Sequence, residues 1–351
     1  MKPRLAALTA FASLSALVLG ALLFAVTFGS AQGLPPRIAF QVATGSTGGT
    51  YFPVGELIAG LISNPPGVDR CEKTNVCGPP GLILSARTSD GAVANVLAVN
   101  AGRVDSGLAQ GDVLADAVAG KGVFRTAQTH IRVIAALFPE DVHLVVARKS
   151  RIARVSDLRG KRVSLGAEGS GTNVTARAIL AAYGISPSAI KARHDSSDVD
   201  AQLLQSGKLD AFFFVGGTPV PLMDDLLARG VARLVPIGGK QRDRLLKLSP
   251  NLSSDVIAAG IYPGTGAVQT VSVRALWVVR DSAPDSVVYG VVKALFNPAN
   301  RDLLYANLRV ARFIRLDTAT AKLPAPLHPG AMRFYREAGK LAWPNNKAGK
   351  I

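Results

Sequence analysis

Residues 157–184 read DLRGKRVSLGAEGSGTNVTARAILAAYG, and this stretch decides the fold. KRVSLGA, with Gly160 before it and Gly169 after, has the length and apolar content of a short strand. GSGT then turns the chain with two glycines and two small hydroxyl residues. A helical pattern follows, and Tyr183-Gly184 ends it with a glycine suited to the left-handed backbone beyond a helix C-terminus. The segment just upstream, VSDLRG, predicts a short helical turn with Ser156 as its N-cap candidate. Strand, glycine turn and helix form the repeating unit of a mostly parallel α/β sheet.

The same unit recurs outward in both directions. IAFQVATG reads as a strand, and GSTGGTYFPVGELIAGLI as a turn and a helix with Phe52, Leu57, Ile58, Leu61 and Ile62 on one face. LILSAR is a strand before TSDGAVANVLAVNAG, a turn and a helix with Val93, Val96, Leu97 and Val99 inward. VDSGLAQGDVLADAVAG repeats the plan, with a strand near Ser106–Ala109. IRVIAALF and VHLVVAR predict two more strands. Downstream, DVDAQLLQSGKLDAFFFVGG gives a helix, a glycine turn and a very apolar strand. PVPLMDDLLARG predicts a helix, VARLVPIG a strand and VQTVSVRALWVVR a long strand. PDSVVYGVVKALFN and LPAPLHPGAMRFYREAG close the chain as helices.

With 351 residues, 48% hydrophobic and 18% charged, the chain is long enough for two packed domains and too apolar for disorder. Residues 1–31 stand apart. Lys2 and Arg4 precede an apolar run from Leu5 to about Phe28, and Gly29-Ser30-Ala31 places small residues where a signal peptidase cuts. The run is also long enough to stay as an anchor. Either outcome puts the remainder outside the cytoplasm, in the periplasm. Net charge is +16, but the Lys and Arg residues are scattered singly or in pairs, as in Arg148-Lys149 and Lys161-Arg162. No basic helix or aromatic-interleaved stripe is present, so a solvated basic surface is expected and not a nucleic-acid site. Cys71 and Cys77 are the only cysteines and lie in CEKTNVC. In an exported chain this spacing predicts a local disulfide. Zinc fits poorly, because no histidine lies near and two further ligands are missing.

In α/β sheets, ligands bind beyond the carboxyl ends of the strands. The turns at those ends contain Gly45-Ser46-Thr47-Gly48-Gly49-Thr50-Tyr51, Thr88-Ser89-Asp90-Gly91, Gln110-Gly111-Asp112, Gly169-Ser170-Gly171-Thr172-Asn173 and Gly216-Gly217-Thr218-Pro219. Helix starts expose unpaired N–H groups with partial positive charge, and glycine lets a ligand approach the backbone. Several such turns converging would bind a small anion without metal or cofactor. Taken singly, each is also an ordinary capped turn. Enzyme motifs are missing: no G-x-S-x-G occurs, GSTGG lacks a P-loop lysine, and His130, His143, His194 and His328 have no metal-site spacing. His143 reads as a packed residue or a cleft residue, and His194-Asp195 as a solvated turn or a catalytic pair.

The ordered set GSTGGTYFPVG, DGAVAN, GLAQGDV, PEDVHLVV, DLRGKRVSLGAEGSGTNVTA, GKLDAFFFVGG, IYPGTG and PLHPGAMRFYREAG resembles the TAXI family of TRAP-transporter solute receptors. The resemblance covers nearly the whole chain after the leader. It implies a two-lobe periplasmic binding fold of the second type, with two mostly parallel sheets flanked by helices and joined by crossing strands. Lobe I would span 32–141 and 275–351, and lobe II 142–274. It implies a non-enzymatic receptor that captures a small carboxylate, glutamate-like or a dicarboxylate, and delivers it to a TRAP membrane permease. By position, the contacts would be Ser46, Thr47, Gly49, Tyr51, Ser89, Asn95, Gln110, Asp112, Ser170, Gly171, Thr172, Gly217 and Thr218. Tyr51 would stack on the solute or hydrogen-bond it. Two features depart from the family. Asp90 and Ala92 stand where a glycine and a serine are common, so Asp90 would repel an anion unless it points away. The CEKTNVC-GPPG loop is an extension over shorter members. A sensor that presents the bound solute to a membrane signalling partner is the competing reading. A secreted enzyme lacks a convincing nucleophile and base.

Overall fold

The structure, a computed structural model, describes residues 37–74 and 76–343. The leader read at 1–31 lies outside them. In the first part of the chain the elements are β1 (Ile38–Ala43), α1 (Tyr51–Ile62), α2 (Asp69–Thr74), β2 (Leu82–Arg87), α3 (Ala92–Asn100), β3 (Ser106–Gln110), α4 (Gly111–Ala119) and β4 (Ile131–Ala147). After a 3-10 turn at Val155–Leu158 come β5 (Arg162–Ser164), α5 (Gly171–Ala182), β6 (Lys191–Arg193), α6 (Ser197–Gln205) and β7 (Ala211–Gly216). The chain continues with α7 (Pro221–Ala228), β8 (Ala232–Val235), α8 (Gly239–Leu248), β9 (Ser253–Ile257) and β10 (Val268–Arg280). It ends with α9 (Asp285–Leu295), α10 (Arg301–Ala306) and α11 (Pro329–Glu337). No helix among the described residues is long and apolar enough to cross a membrane.

The fold is mixed α/β with a central sheet and flanking helices. The strands form one hydrogen-bonded sheet in the order β2-β1-β3-β10-β4-β7-β5-β6, with β8 added to β4 and β9 to β10. β1, β2 and β3 are parallel, and so are β5, β6 and β7. β4 and β10 run antiparallel to each other and to their neighbours β7 and β3. Two mostly parallel sheets joined by crossing strands were expected. They are continuous because the crossing strands pair with each other through the crossing itself, with Ser272 opposite Asp141 and Arg274 opposite Pro139. IRVIAALF and VHLVVAR, expected as two strands, are accordingly one strand of 17 residues. Pro139 lacks an N–H for the ladder, and the register shifts just beyond it, between Arg274 and Leu276.

The apolar cores change over at the crossing. The largest holds Phe40, Val54, Leu108, Phe138, Trp277 and Tyr335. Two further cores lie on opposite faces of the sheet beyond it. Successive residues of β7 alternate between them, Phe213 in one and Phe212 and Phe214 in the other, which is why AFFFVG is apolar throughout. On α3, Val93, Val96 and Val99 are buried, but Leu97 is exposed. Residues 239–257 carried no predicted element, yet form α8 and β9; α8 buries only Leu245, so its polar sequence shows little periodicity. The 3-10 turn is capped by Arg154, not by Ser156, and the Asp157 carboxylate accepts from Ala153 N–H at 2.9 Å. Cys71 and Cys77 form the expected disulfide, with Cα atoms 5.2 Å apart.

Candidate functional site

A cavity opens at the carboxyl ends of the six parallel strands. β1 leads into it through Gly45, Ser46, Gly49, Thr50 and Tyr51, and β2 through Ser89, Asp90, Gly91 and Ala92. Gln110 ends β3, and Glu140 comes from the middle of β4. β5 contributes Gly166, Ala167, Ser170, Gly171 and Thr172, and β6 contributes Asp195, Ser196, Ser197 and Asp200. Phe213, Phe214 and Val215 of β7 form the floor. The N-terminal ends of α1, α3, α4, α5 and α6 therefore all meet one cavity of about 110 Å³.

Bonds between the segment from β1 to α4 and the segment from β5 to α6 surround this space. Ser46 Oγ lies 3.2 Å from Ser197 Oγ. Thr175 Oγ1 donates to Asp112 Oδ2 at 3.0 Å, and the Ala94 N–H to the Gly169 carbonyl at 3.0 Å. Gly91 has φ 115°, and a β-carbon there would stand 3.2 Å from the Ser170 Cα, so a glycine serves both backbone and approach.

Eight of the thirteen residues expected at the site line the cavity: Ser46, Gly49, Tyr51, Ser89, Gln110, Ser170, Gly171 and Thr172. Five do not. Thr47 is exposed on the outer side of its turn. Asn95 is buried, donating to the carbonyls of Thr44 at 2.6 Å and Leu108 at 2.8 Å, with its Oδ1 2.6 Å from Ser89 Oγ. It ties β1 to β3 and positions Ser89. Asp112 accepts from Thr175 and from the Val113 N–H at 2.8 Å. Gly217 is a packing glycine, since a β-carbon would meet Val310 Cγ2 at 2.3 Å. Thr218 lies beyond the lining, its hydroxyl buried.

Several lining hydroxyls already have internal partners. Ser170 Oγ accepts from the Asn173 N–H at 3.1 Å and donates to the Ala167 carbonyl at 2.6 Å. Thr172 Oγ1 accepts from the Val215 N–H at 3.1 Å. Tyr51 donates to Glu140 Oε2 at 2.8 Å. These groups shape the wall, and Gly171 and Thr172, whose backbone N–H groups have no acceptor within their own helix, line the space. Glu140, Ser196, Ser197 and Asp200 were not expected at the site from the sequence, and Asp195 was read only beside His194, as a solvated turn or a catalytic pair. Ser196 and Ser197 carried a signal, a hydroxyl pair at a helix start; Glu140 carried none.

The NMT1-like family matches residues 42–339, most of the chain. The chain belongs to the NMT1-like family. Among solved structures, this NMT1-like chain is similar to MatC from Rhodopseudomonas palustris with bound malate, at 14% identity and TM-score 0.53, over 87% of this chain and 98% of that one. It is also similar to PhnD1 from Prochlorococcus marinus in complex with methylphosphonate, at 13% identity and TM-score 0.51, over 86% and 99% of the two chains. At these identities the shared feature is the periplasmic binding protein fold.

The NMT1-like cavity is acidic. Asp90, Glu140, Asp195 and Asp200 line it, and no Lys, Arg or His does among the described residues. Burial raises the Glu140 carboxyl well above the usual carboxylate range, and the Tyr51 hydrogen bond only partly opposes this. Burial also pushes Asp200 to about 7, and Asp112 and Asp141 to about 6 each. His143 is not a cleft residue. It is buried, with Nε2 2.8 Å from the Tyr262 hydroxyl, and burial lowers it to about 4. His194 accepts from Asn173 Nδ2 at 2.7 Å, while Arg193 grips Asp195 through Nε at 2.6 Å and Nη2 at 3.2 Å. His194 and Asp195 therefore serve different partners and form no dyad. No group of three or more His, Cys, Asp or Glu among the described residues is placed to hold a metal.

Proposed function

We propose that this chain is a non-enzymatic extracytoplasmic receptor that captures a small carboxylate-bearing solute in this cavity and delivers it to a TRAP-type membrane permease, as a TAXI receptor would. The observation that carries the reading is the convergence of five helix N-termini on one cavity. Each end offers partial positive charge and N–H groups that its own helix cannot satisfy. Together they favour an anionic group although no cationic side chain is present. Residues 32–141 with 275–351 act as one lobe and 142–274 as the other. The solute contacts both, and those extra contacts favour the closed form. The bonds Ser46–Ser197 and Thr175–Asp112 are the rim contacts of that closed form. The bound malate of MatC, whose fold this chain shares, is a fold-level analogy in favour of a small acid.

Calorimetric titration of the purified chain with malate, succinate, glutarate and L-glutamate tests this. At least one is expected to bind at about micromolar or tighter. If none of a broad set of small carboxylates binds, the receptor does not take carboxylates and the reading fails.

A further inference from the structure

The four acids of the cavity wall are not equivalent. Asp90 is exposed. Asp195 is held by the Arg193 guanidinium through two hydrogen bonds. Glu140 accepts from Tyr51. Asp200 is different: it is 1% exposed, it lines the cavity, and neither of its carboxylate oxygens has a hydrogen-bond partner. The Ser164 hydroxyl is close enough to favour the charged form as a hydrogen-bond donor would, although it makes no bond of normal geometry, while Asp195 and Arg193 act on Asp200 only through space and in opposite senses.

A buried carboxylate without a donor is costly, whether charged or neutral. Proteins normally satisfy such a group with a neighbouring cation or backbone N–H. Asp200 lines the cavity, and among the described residues no Lys, Arg or His lines that wall. Asp200 stands in the first turn of α6, so its backbone N–H is already bonded to the Ser196 carbonyl. Its side chain is therefore held on a rigid helix, facing the solute space. The same cavity collects the N-terminal ends of five helices, which suit the opposite charge.

We propose that Asp200 is an amine-binding subsite, so that the solute carries a protonated amine as well as a carboxylate. The ammonium donates to the two free oxygens of Asp200, and the carboxylate meets the helix N-termini. The preferred class is then amino acids and not plain dicarboxylates. This inference rests on the solute-receptor reading above and narrows it. An arriving ammonium also favours the ionised form of Asp200, whose proton burial otherwise retains near neutral pH.

The test uses matched pairs that differ by one amino group: L-glutamate with glutarate, L-alanine with propionate, and L-leucine with 4-methylpentanoate. Each is titrated calorimetrically into the wild-type chain, Asp200→Asn and Asp200→Ser, with circular dichroism to confirm that each variant is folded. In at least one pair, the wild type is expected to bind the amine-bearing member about tenfold or more tightly than its partner. In both variants that preference is expected to fall to about twofold or less. If the amine-free acids bind the wild type as tightly as the amino acids, the amine subsite is wrong and the carboxylate receptor stands. Folded variants that keep the full amine preference contradict it equally. If no member of any pair binds, the receptor reading fails, and the subsite with it.

Discussion

Gln110 Oε1 occupies the place a side chain on Gly171 would need: a β-carbon built on Gly171 lies 1.6 Å from it. Gln110 ends β3 and Gly171 begins α5, so the contact joins these two elements across the cavity. It also explains why the turn after β5 carries glycine at this position. A methyl group there would not strain the backbone of either element, because the obstructing group is the tip of a flexible side chain. It would push Gln110 into the solute space or hold the rims apart.

Gly171→Ala is therefore expected to weaken solute binding by about tenfold or more, roughly 1.4 kcal/mol, with little change in the melting temperature of the ligand-free protein. Adding Gln110→Ser should restore much of the loss, since it removes the clashing amide. Calorimetry on the single and double variants checks this. A double variant no better than Gly171→Ala would mean that the contact does not control the cleft.

Tyr51 and Glu140 form a buried pair whose two members respond differently to truncation. Tyr51→Phe leaves Glu140 without its donor and is expected to destabilise the chain by roughly 1–3 kcal/mol. Burial already raises the Glu140 carboxyl well above its usual range, so a neutral amide is a close substitute, and Glu140→Gln should cost less than Tyr51→Phe. Urea denaturation of the two variants decides the order.

The raised carboxyls give stability a defined pH dependence. For Asp200 at about 7, and Asp112 and Asp141 at about 6, the folded state holds protons that the unfolded state has released. Their contribution is fully present below the unfolded carboxylate range near pH 4 and is lost as pH rises through 6 to 7. His143 works in the opposite sense, because burial lowers it to about 4 and stability is lost as pH falls below the unfolded histidine value of about 6.5. Between about pH 6 and pH 7.5 the carboxyls dominate, so the melting temperature should rise as pH falls across that interval. Asp200→Asn should flatten this slope and raise the melting temperature at pH 8. An equal slope in the variant would show that Asp200 does not titrate there.

Much of the site was legible because its turns have a sequence signature. Ser46, Ser89, Ser170 and Gly171 sit in glycine- and hydroxyl-rich turns at strand ends, and the parallel fold brings those ends together. What each group does was less legible. Ser170 and Thr172 read as ligand donors, yet their hydroxyls bond the Asn173 and Val215 N–H groups. Asn95 read as a contact and is a buried tie between Thr44 and Leu108. Those partners lie far apart in sequence or fall within ordinary capping patterns, so spacing alone does not separate the roles. Asp200 looked like any acid in a first helical turn, and only its burial and its unpartnered oxygens distinguish it. The continuity of the sheet was hidden by Pro139-Glu140-Asp141, which reads as a break but pairs with β10.

The most direct test of the central claim is mass spectrometry of the solute released when the purified chain is denatured. A small molecule bearing a carboxylate, with an amine beside it, is expected in near-stoichiometric amount. A neutral or purely cationic solute would contradict it, and so would a protein that releases nothing and ignores every carboxylate offered.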